Sequence, residues 1–260
     1  MSDETTAGEA GLAEAVDWLG RPVSCKDCTH DAMREQGRCD LGRICVRDRR
    51  SKRIDRFFAN NPAVATRYLR HPYSELRVLA AKHASIFQLA ALIDDPEPDV
   101  RAMAVYRLPY NRIAALKDDP DRKVRLAAAQ RLEGADLVHL LKDPDYAIRR
   151  TAASRISEDL VSVAMNDSEA EVRRVVARRI PLAKLPPMMF DTEPLVRIEV
   201  AQRIEPHKLL LLAHDEDLRV RFAVAERGGR DVLQYLKHDR DPEVKAKALS
   251  RLLSEAGAEG

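Results

Sequence analysis

Apolar positions along the chain recur with two superposed periods. The short period is helical: Val100, Ala104 and Leu108 fall four apart, as do Val124, Ala128 and Leu132, then Ile148, Ala152 and Ile156. Each set is one stripe of an amphipathic α-helix of about three turns. The long period is 24 residues. Asp95-Pro96 with Val100-Arg101 returns as Asp119-Pro120 with Val124-Arg125 and as Asp143-Pro144 with Ile148-Arg149. It continues at Asp167, Asp191, Asp215 and Asp239 without a slip, and His71-Pro72 with Leu76-Arg77 makes an earlier copy, eight in all.

The leading Asp of each copy predicts a helix N-cap, and the Pro after it suits a first helical residue, which needs no N–H partner. A basic residue in the last turn (Arg107, Arg131, Arg155, Arg179, Arg203, Arg227, Arg251) is placed to meet the negative end of the helix dipole. A shorter apolar pair follows, such as Ile113 with Leu116, Leu137 with Leu140, Leu209 with Leu212 and Leu233 with Leu236. Only a one- or two-turn helix, of 3₁₀ type, fits that space. Neither face can be buried alone, so the copies must stack as a quasi-one-dimensional solenoid. With helices roughly 8–10 Å apart, eight copies would extend on the order of 70 Å. One Asp and one Arg per copy would align and pair along the stack; as surface pairs each would contribute about 0–1 kcal/mol and fix register more than stability.

Composition fits an elongated molecule. Of 260 residues, 33% are charged and only 5% aromatic. The net charge of +2 excludes a molecule-wide electrostatic footprint for nucleic acid or membrane. No apolar run approaches the ~20 residues of a bilayer span. Residues 1–11 are small, acidic and apolar-poor and read as a disordered tail, as do residues 253–260; a cytoplasmic location is expected.

All four cysteines precede the repeats, at Cys25, Cys28, Cys39 and Cys45. In a reducing compartment such clustering points to a metal site rather than disulfides. The pattern Cys-x2-Cys-x10-Cys-x5-Cys offers four thiolates, which suit either zinc or a four-iron cluster. The loose second pair is easier on a cubane, whose corners lie several ångströms apart, than on a single ion.

The Asp-Pro, Val-Arg, Ala and Arg-Leu pattern at 24-residue spacing, over residues 71 to about 252, resembles the leucine-rich repeat variant family. The standard leucine-rich pattern, with its strand and recurring Asn, is absent. The resemblance implies an all-α, right-handed superhelical solenoid of alternating α and short 3₁₀ helices, preceded by a small cysteine-rich metal module. It also implies a 4Fe–4S cluster held by Cys25, Cys28, Cys39 and Cys45, with zinc as the alternative. Residues 12–56 would form the iron–sulfur module with a basic linking helix, and residues 57–252 the eight-repeat solenoid with its N-terminal cap.

Around the cysteines run Arg43, Arg47, Arg49, Arg50, Lys52, Arg53 and Arg56 against Asp48 and Asp55. These cations would offset the charge of a thiolate-ligated cluster, or offer a docking surface to an acidic redox partner or a nucleic-acid backbone. Ile54, Phe57 and Phe58 are expected on a helix capping the solenoid, with Val64, Tyr68 and Leu69 behind. His30 is expected as an ordinary surface residue, and Trp18 and Leu19 as packing over the cluster.

Three function classes follow. The first is a cluster-bearing repeat scaffold that binds a protein partner, linked to redox or electron transfer. The second is a nucleic-acid-binding repeat protein or DNA glycosylase-like enzyme; the third is a tetrapyrrole lyase. No Gly-rich phosphate loop, Ser-His-Asp set or His-x-Glu with a Cys pair supports an enzyme, and the acidic residues sit at repeat-cap positions. The scaffold is the favoured reading, and the resemblance extends to proteins of nitrogen-fixing bacteria. No membrane partner is expected.

Overall fold

The computed structural model describes residues 15–26 and 28–258, with side chains as far as Glu255. The tail expected over residues 1–11 lies outside them. The chain divides into two compact units, Met1–Leu132 and Glu133–Gly260. Among the described residues there are helices and two isolated bridges, Val16 with Pro22 and Asp40 with Ile44, but no strand.

In the first unit the helix Ser51–Asn60 lies on Ser74–His83, which lies on Pro98–Arg107, which lies on Arg122–Ala129. In the second unit Tyr146–Arg155, Ala170–Arg179, Pro194–Ala201, Leu218–Arg227 and Pro242–Ala258 stack in the same serial way. The predicted stripes are what each stack buries. Val100, Ala104, Leu108, Val124, Ala128 and Leu132 lose nearly all contact with water in the first unit, as do Ile148, Ala152 and Ile156 in the second. At about 25 cal/mol per Å² of apolar surface, a fully buried valine or leucine contributes ~1.5–3 kcal/mol. The final helix runs on to Ala258, so residues 253–258 are helical rather than a tail.

The connecting elements follow the prediction with local variation. They are 3₁₀ at Ala90–Asp94, Pro186–Phe190 and Pro206–Leu212, α at Gly134–Leu140 and Arg230–Leu236, and mixed at Tyr110–Asp118 and Glu158–Ala164. The second apolar pair is buried in each case named above.

The role of the leading Asp differs from the cap expected. Asp95 stands three residues before the helix starts at Pro98, and its Oδ1 accepts from the Glu97 N–H two residues on, at 2.9 Å. The same turn recurs at Asp119, Asp143, Asp167, Asp191, Asp215 and Asp239. Pro96, Pro120 and Pro144 lie in that turn. True N-caps come two residues after the Asp: Asp121, Asp145 and Asp217 accept from the N–H groups of Lys123, Ala147 and Arg219. Asp-Pro looks like a cap and a first helical residue, but the chain spends two more residues in a bend before turning helical.

The leading Asp also receives a guanidinium from the preceding repeat. Arg77 grips Asp95 with two parallel bonds, Nε to Oδ2 at 2.8 Å and Nη2 to Oδ1 at 2.7 Å. Arg101 holds Asp119 likewise, and in the second unit Arg149, Arg173, Arg197 and Arg221 hold Asp167, Asp191, Asp215 and Asp239. Each of these arginines also gives Nη1 to the carbonyl six residues before it, as Arg77 does to His71 at 2.8 Å. These are not surface pairs: the Arg197 and Asp215 side chains are 8% and 6% exposed. A fork-to-fork pair with its remaining donor satisfied is the geometry that offsets burial of both charges.

The last-turn arginines form a second ladder, aimed differently from the expectation. Arg107, Arg131, Arg179, Arg203, Arg227 and Arg251 reach the C-terminal carbonyls of the preceding repeat helix rather than the end of their own. Arg107 donates to Ala81 and Ala84, and Arg227 to Ala201 and Ile204. Arg179, Arg203 and Arg251 do the same for Ala153, Ala177 and Gly228. A positive charge thus caps the negative end of the neighbouring helix.

The first repeat shows why its residues deviate. Arg53 stands 18 residues before His71 but bonds Asp48, and His71 Nδ1 accepts from the Tyr73 N–H at 3.1 Å, doing the work of Asp without a charge to neutralise. Burial, helped by Arg77, lowers the His71 pKa and keeps the ring neutral. His83 stands where the last-turn arginine would be and instead meets Asp55 at 2.7 Å; the Phe57 carbonyl is taken by Asn61 Nδ2 at 2.8 Å.

A pH dependence follows. Burial opposes ionisation of Asp119, Asp167, Asp191 and Asp239, but their arginines and turn N–H groups outweigh it and hold each pKa below the ordinary carboxylate value. The unfolded chain therefore takes up protons first, and this stability is lost as pH falls from about 4 through the depressed folded values. His71, lowered from about 6.5, adds a smaller loss that begins below that pH. Chemical denaturation from pH 7 to 3 is expected to show a shallow decline below about pH 6.5 and a steep one below about pH 4. A profile flat down to pH 3 would contradict the ladder's role.

Candidate metal centre

The four cysteines belong to a loop-rich segment tied together by short local bonds. The Cys28 N–H donates to the Cys25 carbonyl at 3.1 Å, closing the turn between the first pair. A five-residue helix, Asp31–Glu35, then ends at Gly37, whose φ of +68° is the left-handed conformation that favours glycine. Gly37 donates to the Arg34 carbonyl and Arg38 to the Met33 carbonyl, a Schellman closure that turns the chain inward at Cys39. The Cys45 N–H meets the Arg53 carbonyl at 3.2 Å, fastening the last cysteine to the helix Ser51–Asn60.

Burial divides the set. Cys39 and Cys45 are buried, Cys25 and Cys28 are half-exposed, and all four are free thiols. The Cys39 thiol donates to Cys45, which lowers the Cys45 pKa; the N–H groups of Arg47 and Asp48 directed at the same sulfur assist. Cys39, holding the shared proton, is pushed up by that bond, by burial and by the nearby sulfurs of Cys45, Cys28 and Cys25. Burial likewise raises Cys25, against the pull of Arg34. Among the described residues, no three of His, Cys, Asp or Glu are gathered as ligands of a single ion.

Aromatic and aliphatic side chains back the site. Ile54, Phe57 and Phe58 are fully buried on Ser51–Asn60, with Val64 and Leu69 behind them, as the sequence predicted. Asp48 is buried too, with Oδ1 on the Arg50 N–H at 2.9 Å and Oδ2 on Arg53 Nη1 at 2.5 Å. The basic run is therefore anchored from within.

Two expectations change. His30 is buried rather than a surface residue: its Nε2 lies 2.5 Å from the Tyr68 hydroxyl and its ring 5.1 Å from that of Phe57. Burial keeps His30 toward the neutral form and pushes Tyr68 up to about 12. Trp18 and Leu19 are exposed; Trp18 stacks on Tyr73 at 6.0 Å and meets His71 edge-on. Both contacts span more than fifty residues of sequence, which no local pattern displays.

The positive charge of the protein is concentrated here. Residues 15–70 hold thirteen Lys and Arg against seven Asp and Glu, whereas from residue 71 onward each sign numbers 31. Twelve of the thirteen are exposed; Arg53 is the exception.

The donor set fits a thiophilic group. It comprises four thiols, two of them shut from water, with N–H donors at one sulfur and cations around the rim. Soft thiolate sets select zinc or iron–sulfur clusters, and N–H bonds to sulfur and burial are among the factors that tune a cluster.

Comparison with known proteins bears on the same residues. Residues 15–67 match the family model described as LRV protein FeS4 cluster, a segment that contains all four cysteines. An 85-residue stretch is 46% identical to an uncharacterized 27.7 kDa protein in the nifB 3′ region of Rhodobacter capsulatus; it covers 33% of this chain and 35% of that protein. A solved structure described as a leucine-rich repeat variant with a novel repetitive structural motif superposes with a TM-score of 0.83 at 37% identity. The overlap covers 88% of this chain and 98% of that one.

Proposed function

The chain belongs to the leucine-rich repeat variant family, and on that premise we propose that Cys25, Cys28, Cys39 and Cys45 hold a 4Fe–4S cluster on a repeat scaffold that binds another protein. The observation that carries this reading is the coincidence of an iron–sulfur module over residues 15–67 with four free thiols inside it. Such a cluster, when bound, supplies one-electron transfer. The chain's own part is to fix four sulfur positions, close water off from Cys39 and Cys45, and leave Cys25 and Cys28 at the surface. The N–H groups of Arg47 and Asp48 stabilise negative charge at Cys45.

The scaffold half of the proposal rests on the serial stack of repeats, in which the leading Asp and the two sets of arginines serve the fold. Free thiols suit a reducing, cytoplasmic setting. The relative's location beside nifB supports a role near nitrogen-fixation metallocluster machinery. Among the described residues no helix is long and apolar enough to cross a membrane.

The test is optical. Protein purified without oxygen is expected to show a broad absorbance near 400 nm that bleaches with dithionite. A coloured protein that does not bleach would remove the electron-transfer role, and a colourless one would remove the cluster.

A further inference from the structure

We infer that the half-exposed Cys25–Cys28 edge, with Trp18 and the cations beside it, is the docking face for an acidic protein electron carrier. This rests on the cluster reading above, since it names the partner of that same site.

Three observations converge on this face. The first is exposure: of the four cysteines, Cys25 and Cys28 alone reach the surface, so a partner exchanging electrons by the shortest route meets that edge. The second is charge, since the surplus of cations in the protein lies within residues 15–70 and is exposed. Arg47 Nη1 bonds the Ser24 carbonyl at 3.2 Å, next to Cys25. Arg49 is pinned through its backbone, its N–H to Val16 and its carbonyl to the Tyr73 hydroxyl, while the residue itself is exposed.

The third observation is an aromatic anchor. Trp18 is 40% exposed yet already ordered, one face stacked on Tyr73 and its edge against His71, with exposed Leu19 beside it. A rigid tryptophan ringed by charge is the anatomy of a protein interface, an aromatic centre inside a polar rim. The segment Arg47–Arg49 links the Ser24–Cys25 side to the Trp18–Tyr73 side, so the anchor and the cysteine edge form one face. Carboxylates also stand within it, Asp17 paired with Arg21 and Asp31 with Arg34. That mixture of signs matches a protein surface bearing both, rather than a uniform phosphate backbone.

The experiment uses the full chain, purified without oxygen, and a plant-type 2Fe–2S ferredoxin as the acidic probe. Binding is measured by calorimetry at low and high salt, with short single-stranded and duplex DNA as competitors. Binding is expected at low salt and to weaken as salt rises, because exposed charge pairs are screened. Arg49→Glu and Trp18→Ala are each expected to raise Kd roughly tenfold or more. Arg150→Glu, an exposed cation of the second unit, leaves Kd unchanged. Circular dichroism of each variant checks folding, and the milder Arg49→Gln gives an intermediate Kd if charge is the cause. No binding at low salt, binding indifferent to Arg49→Glu and Trp18→Ala, or DNA displacing the ferredoxin overturns the proposal. Iron and sulfide are assayed on the same samples. A loaded chain that ignores the ferredoxin overturns the docking face alone, and an iron-free chain that binds it overturns the cluster alone.

Discussion

Cys45→Ser is expected to strip the protein of its iron while leaving the repeats folded. Cys45 is buried, receives the N–H groups of Arg47 and Asp48 at its sulfur, and is fastened through its own N–H to the Arg53 carbonyl. Serine keeps the shape but offers an oxygen that stays protonated where a thiolate is needed. Altering only the groups behind a ligand costs about 10–100-fold in metal affinity, so loss of the ligand itself should reduce bound iron by roughly tenfold or more. Because metal binding is coupled to folding, Ser51–Asn60 should exchange its amide hydrogens faster, whereas the helices of residues 133–258 should not. His30→Gln separates the ligands from their surroundings: with His30 Nε2 engaged by Tyr68, iron content is expected to be unchanged. Iron retained in Cys45→Ser, or lost in His30→Gln, would reassign the ligands.

Arg197→Ala is expected to cost about 3–5 kcal/mol, because it leaves the buried Asp215 carboxylate without its counter-charge. Arg197 also donates to the Asp191 carbonyl at 2.7 Å, so the change frees a second acceptor in the same stack. The double variant Arg197→Met with Asp215→Asn should recover much of that loss, since neither charge is then stranded; its Asn can still accept from the Asp217 N–H. Thermal unfolding and hydrogen exchange of Pro194–Ala201 and Leu218–Arg227 report the effect. A loss below about 1 kcal/mol for the single variant would return the ladder to the rank of a surface pair.

The contrast between these two regions explains what could be read from the chain. The repeat stripe was legible because the positions of Val100, Ala104 and Leu108 recur in phase from copy to copy, and burial follows periodicity directly. The ladder was legible as a pairing but not as a buried one. Arg77 and Asp95 are 18 residues apart, and only the stacked turn reveals that each closes the other off from water. The caps were misplaced for a related reason: Asp95 has the right chemistry, yet its oxygens are committed to a turn and to Arg77, and capping passes to residues two positions later. The last-turn arginines had the right charge for a helix end, but the 24-residue step sets them against the end of the preceding helix.

In the cysteine segment, clustering set the four residues apart from the repeats, and bonds at Cys28, Gly37 and Cys45 tie that segment together. What lies around them was not legible. Tyr68 covers His30 from 38 residues away, and Tyr73 holds Trp18 from 55 away, in a segment with no period to announce such contacts.

The central claim is that the four cysteines hold a four-iron cluster, and elemental analysis of the anaerobically purified full chain tests it most directly. About four irons and four sulfides per chain, with negligible zinc, is the predicted result. One zinc per chain with no sulfide would contradict it, leaving a structural clasp at the head of the repeat array.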